Sequence, residues 1–195
     1  MNLRDKPDWF LKISPHGKVP VLQVDGQPLF ESGAIAEYLD EVVAPRLHPE
    51  DPIKRARNRA WTDFTPSFSS ALGGVMYAKT PEAVHAGMAA AEKALGRLED
   101  ALATERGNDG PYFNGPQLSL VDAAYAPFLQ RFQITESVLR TGLLDAFPRV
   151  RAWSQALLEN PVVTGAVPGN FPEEYRANLK RREAHAVTLM EAAGA

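Results

Sequence analysis

The sequence predicts an α+β N-terminal piece of helix, β-hairpin and helix, followed by an all-helical remainder. Three observations carry that expectation. "VPVLQV" and "QPLF" are two short strand-like runs joined by Asp25-Gly26, the strongest short-range hairpin signal. Beyond residue 52 apolar residues recur at steps of three and four, the period of a helix face. Ser119 and Asp122 stand three positions apart at the head of an apolar run, a variant of the capping box that opens helices.

Taken in order, "KPDWFLKI" (6–13) reads as a short helix capped by Asp5, with Trp9, Phe10 and Ile13 as its apolar side and Ser14, Pro15 and Gly17 as its stop. Pro28 has no N–H to give a ladder, so the second strand of the hairpin belongs at a sheet edge or meets its partner through its other side. From Gly33 to about Val43, Ile35, Tyr38, Leu39 and Val42 line one helix face. The proline-rich "APRLHPEDP" (44–52) has no periodicity and is read as a linker between an N-terminal domain, 1–43, and a helical domain, 53–195. Residues 53–78 place Ile53, Ala60, Trp61, Phe64, Phe68, Leu72, Val75 and Met76 on one helical period, with Pro66 expected to kink the rod. Thr80-Pro81 opens a second long helix through Leu102, expected to pack antiparallel to the first. The helix opened by Ser119 turns Tyr125, Phe128, Leu129 and Phe132 inward, and two more helices are expected near 146–159 and 172–192.

The totals exclude several function classes. The 195 residues carry a formal net charge of −3, which offers no general attraction for nucleic acid or an anionic membrane, and the basic runs "KRARNR" and "KRRE" have acids nearby, as a solvated helix face would. No cysteine is present, so disulfides, thiolate metal sites and a cysteine nucleophile are all ruled out for this chain. The four histidines share no ligand spacing, and no metal is expected. The charged start "MNLRDKPDWF" lacks the apolar core of a signal peptide and no run is long enough to span a membrane, so a cytoplasmic location is expected.

The hairpin carries a proline at its entrance and a Glu-Ser pair at its exit. A cis Val19-Pro20 bond would turn the polar groups of Val19 out of the ladder, where an extended peptide can pair with them. A trans proline at a strand start is the alternative that the dipeptide leaves open. Glu31 and Ser32 stand where a helix N-terminus favours an anion, although a plain N-cap and a solvated acid would look the same taken singly.

In combination, the ordered set of Lys-Pro-acid-Trp-Phe, Val-Pro-Val-Leu, Asp-Gly, Glu-Ser and Ser-x-x-Asp resembles the glutathione S-transferase family, most closely its omega-type and related bacterial members, over about residues 5–160. The resemblance implies a thioredoxin-like domain, of which this chain would hold the later part, followed by the family's all-α C-terminal bundle. It implies that Val19 pairs with the cysteinyl part of glutathione, that Pro20 is a cis proline, that Glu31 and Ser32 hold the γ-glutamyl end, and that Lys18 meets the glycyl carboxylate. Trp61, Phe64, Phe68, Tyr125 and Phe128 are most simply core residues, with Phe64, Phe68 and Tyr77 as the candidates should any line a pocket for a small electrophilic or apolar second substrate, and Ser119 and Asp122 match the family's folding motif rather than its chemistry. A homodimer is implied as well. Glutathione enters as a substrate, to be transferred to an electrophile or consumed in reducing a glutathione adduct. Non-catalytic ligand binding and protein docking are the alternatives.

No residue here matches the family's catalytic serine, tyrosine or cysteine, because the family keeps it in a strand-helix-strand segment before the helix at residue 6. The expectation is therefore that the reading frame starts upstream, that the chain is truncated, or that a second chain covers the open strand edge, the first of these being favoured.

Overall fold

The computed structural model describes residues 5–193. Contacts divide the chain into two compact units, Met1–Arg55 and Ala56–Ala195.

The first unit runs α1 (Asp8–Ile13), β1 (Val21–Val24), β2 (Gln27–Phe30) and α2 (Ser32–Val42). The strands pair antiparallel with Val21 opposite Phe30 and Val24 opposite Gln27. Asp25 at φ +47° and Gly26 at φ +80° close the hairpin, two successive left-handed residues whose twist matches that of the strands. Pro28 sits opposite Gln23 in a sheet that has two strands among the described residues, so every strand is an edge and a residue without an N–H is tolerated. The helices depart from expectation in two places. Pro7, with no side-chain cap, precedes α1 where Asp5 was expected to cap it, and Trp9 is 61% exposed while its neighbour Phe10 is buried. Adjacent residues on a helix point about 100° apart, and α1 turns Phe10 inward. On α2, Ile35 is buried whereas Leu39 and Val42 are exposed. The segment after α2 is tied back to it. The buried Asp40 carboxylate accepts the backbone N–H groups of Leu47 and His48, and the buried His48 ring lies 2.7 Å from Glu37 Oε1.

The second unit is built from α3 (Pro52–Asp63, which begins in the first unit), α4 (Thr65–Met76), α5 (Pro81–Thr104), α6 (Leu120–Leu139), α7 (Pro148–Glu159), α8 (Pro161–Thr164), α9 (Phe171–Arg181) and α10 (His185–Ala193), with a 3₁₀ turn at Leu143–Ala146. Its core joins Phe68, Leu72 and Val75 of α4 to Leu95 and Leu98 of α5, Tyr125 and Leu129 of α6, and Trp153 and Leu157 of α7. Each such side chain contributes about 1.5–3 kcal/mol by burial. The rod expected over 53–78 is two helices rather than one kinked helix, and Ile53 is 67% exposed. Pro66 lacks the N–H that would have bonded the Thr62 carbonyl, and the Thr65 hydroxyl donates to that oxygen instead, at 2.7 Å. The expected helix over 172–192 is likewise broken, with Glu183 at φ +56° between α9 and α10. Burial raises the Tyr125 and Tyr175 phenols above their ordinary pKa, so both act as neutral donors. Tyr125 donates to the Trp61 carbonyl at 2.8 Å, and Tyr175 shares a 3.1 Å bond with Thr135. No helix of the described residues is long and apolar enough to cross a membrane.

Candidate functional site

The candidate site starts from a turn. In "SPHG", Pro15 and His16 are the central residues of a four-residue turn that closes with the Gly17 N–H donating to the Ser14 carbonyl at 2.9 Å. The buried Ser14 hydroxyl accepts from the Lys18 N–H and donates to the Lys18 carbonyl, both at 2.9 Å, so one side chain clamps the backbone just before Val19. Ser14→Ala is expected to loosen this clamp by about 1 kcal/mol, read as about fivefold faster hydrogen exchange at the Lys18 amide with the Leu98 amide unchanged.

The Val19-Pro20 peptide is cis. Among the described residues no hydrogen bond engages the backbone of Val19, which is 48% exposed. The ladder ends at the pair Val21 and Phe30, so the cis bond lies just before β1 and Glu31 just after β2, at the same end of the hairpin. Glu31 is the N-cap of α2 at φ +67°, a conformation uncommon for a residue with a Cβ, and its side chain makes no cap bond. Its carbonyl accepts from the Ile35 N–H, and the N–H groups of Ser32, Gly33 and Ala34 at the positive end of the helix have no partner among the described residues. The Glu31 carboxylate turns to His16, with Nδ1 2.8 Å from Oε1, and the His16 ring meets Phe30 edge-on at 5.5 Å. The fold thus gathers an exposed lysine, an unbonded backbone strand segment, a carboxylate and a helix N-terminus along one strand end, a set of donors and acceptors that suits a short peptide carrying both charges. The pairing of His16 with Glu31 across 15 positions went unseen in the sequence; the turn signature "SPHG" was the available signal.

The aromatic residues expected to share one pocket do not. Phe68 is wholly buried against Tyr125 at 5.0 Å and presents no surface to a ligand. Phe64 precedes α4 and Tyr77 follows it, which sets them about 20 Å apart along the axis. Each carries an arginine on its face, Arg97 over Phe64 at 5.3 Å and Arg182 over Tyr77 at 4.4 Å. The second expected cluster is assembled in full. Ser119 and Asp122 form a complete capping box, and the buried carboxylate also accepts from the Phe113 N–H at 2.9 Å and from Trp153 Nε1 at 2.6 Å. Asp122 is therefore a four-bonded structural hub with no face left for a substrate. Among the described residues no three of His, Cys, Asp and Glu come together as a metal would require.

Comparison with known proteins identifies the family. Residues 1–42 match the family described as "Glutathione S-transferase, N-terminal domain", and residues 81–156 match "Glutathione S-transferase, C-terminal domain". Glutathione S-transferase omega-1 of Rattus norvegicus is 31% identical over 84% of this chain, which spans 66% of that relative's length. Glutathione S-transferase U19 of Arabidopsis thaliana is 31% identical over 93% of this chain and 82% of its own. The crystal structure of a rice glutathione transferase, GST1, in complex with glutathione superposes with a TM-score of 0.76 at 27% identity, covering 93% of this chain and 82% of that one. The unit with the β-hairpin and the all-helical unit after it correspond to that family's N- and C-terminal domains, and the chain belongs to the glutathione S-transferase family.

Proposed function

We propose that this chain binds glutathione as a pseudo-strand beside β1, the Val19 backbone pairing with the cysteinyl unit, Pro20 shaping the bend, Lys18 meeting the glycyl carboxylate, and Glu31 and Ser32 holding the γ-glutamyl end. The observation that carries this reading is the unbonded backbone of Val19, two residues before the pair Val21 and Phe30 that ends the ladder next to Glu31. A γ-glutamyl group offers an ammonium and a carboxylate, and the corner offers the converse pair: the Glu31 carboxylate and the free N–H groups at the start of α2. The rice relative solved with glutathione supports the choice of ligand.

The bound thiolate would displace a leaving group from a small electrophile, forming a thioether, or would attack the sulfur of a glutathione adduct, releasing the reduced substrate after protonation and forming glutathione disulfide. Either use fits the removal of reactive compounds by a cytoplasmic homodimer. No residue of this chain is assigned to stabilising the thiolate. Phe64 and Tyr77 remain the candidates for apolar contact with the second substrate, each from its own end of α4.

Two or three charge-assisted bonds at about 1.5–3 kcal/mol each, less the cost of ordering a flexible tripeptide, correspond to roughly micromolar to millimolar affinity. Titration calorimetry with glutathione is expected to give a dissociation constant in that range, weakened about tenfold by Glu31→Gln and by Ser32→Ala. No binding heat from the unaltered chain up to millimolar glutathione would overturn the proposal.

A further inference from the structure

We propose that His16 is a positioning residue for ligand recognition: it holds one oxygen of the Glu31 carboxylate so that the other is presented to the ligand's ammonium group. This rests on the glutathione-binding reading above.

Three features carry it. The Ser14–Gly17 turn, closed by its own hydrogen bond and braced by the Ser14 hydroxyl on Lys18, fixes where the His16 backbone stands. The ring lies edge-on to Phe30, the last residue of β2, which brings Nδ1 to 2.8 Å from Glu31 Oε1. Glu31 Oε1 is thereby engaged, while Oε2 has no partner among the described residues. A glutamate at a strand-to-helix junction with left-handed backbone, making no cap bond, has no local reason to adopt one rotamer, and on a surface the entropy of a free side chain opposes any single aim. The His16 ring, with Nδ1 in hydrogen-bond reach of Oε1, supplies that reason. The pair is more than half exposed, so its value lies in orientation and its energy is that of a surface contact, a factor of about 3–5 in affinity.

The test uses the full chain and two probes: glutathione, and the analogue in which a glutaryl group replaces γ-glutamyl, so that only the ammonium is missing. His16→Phe keeps the ring contact with Phe30 and removes the donor; His16→Asn keeps a donor and removes the ring. Expected is about 3–5-fold weaker glutathione binding by His16→Phe, unchanged binding of the glutaryl analogue, and recovery to within about twofold by His16→Asn. Equal weakening of both probes by His16→Phe would show a structural role and overturn the positioning role, and so would unchanged glutathione affinity. A failure of the glutathione reading itself looks different: the unaltered chain then binds neither probe, and both proposals fall together.

Discussion

Replacing Asp122 by Asn is expected to lower the unfolding free energy by about 3–5 kcal/mol, a large part of what a domain this size possesses. The carboxylate accepts four bonds in a site with no solvent exposure: Ser119 N–H and hydroxyl on Oδ2 at 2.7 and 2.6 Å, Phe113 N–H and Trp153 Nε1 on Oδ1. An amide has one acceptor oxygen, so its NH₂ would face two of these donors, and each buried donor left unpaired costs about 1–3 kcal/mol. Ser119→Ala removes the cap and the hydroxyl bond to Oδ2 and should cost about 1–2 kcal/mol. Urea unfolding followed by tryptophan fluorescence checks both, and an Asp122→Asn loss no larger than that of Ser119→Ala would contradict the hub. Trp153→Phe made in the Asp122→Ala background should cost about 1–3 kcal/mol less than it does alone, because the bond it breaks is already gone.

Gly110→Ala is expected to cost about 3 kcal/mol, at the upper end of overpacking effects. A Cβ at Gly110 would stand 2.1 Å from the Gly115 carbonyl carbon and 2.5 Å from its Cα, main-chain atoms that cannot rotate aside. The loop has little room to shift. Tyr112 and Gly115 bond to each other in both directions, and Asn108 accepts from the Gly110 N–H while donating to the Asn114 carbonyl. The same loop delivers the Phe113 N–H to Asp122 and buries the Phe113 ring against Trp153 at 5.8 Å. Opening it therefore also loosens the hub, and the Gly110→Ala and Asp122→Asn losses should combine to less than their sum. Thermal unfolding of the two single variants and the double variant measures this, and strict additivity would mean that the loop and the carboxylate act independently.

Local signals were legible where physics is local. The Asp25-Gly26 hairpin, the Thr80 and Ser119 caps and the inward facing of Tyr125, Leu129 and Phe132 all follow from turn chemistry or helical period, and all are present. The misses share a cause. The period predicts a kink at Pro66, but a proline's effect on a helix depends on what becomes of the carbonyl it cannot bond, and here Thr65 takes that carbonyl and lets the chain break. The exposure of Trp9 and Ile53 depends on which neighbours reach each face, which period alone does not say, whereas Phe68 is buried as its place on that period implies.

By itself, the sequence determined the types of element, their order, the capping box at Ser119 and Asp122, and the presence of a proline and a Glu-Ser pair at the two ends of one hairpin. Tertiary structure alone decided that His16 meets Glu31, that Asp122 binds Phe113 and Trp153 as well as Ser119, and that Phe64 and Tyr77 stand at opposite ends of α4. Caps, turns and periodic faces are settled between residues within about four positions of one another, whereas a buried carboxylate or a paired histidine takes its partners from segments 9 to 31 positions away, and those distances close only when the chain has folded.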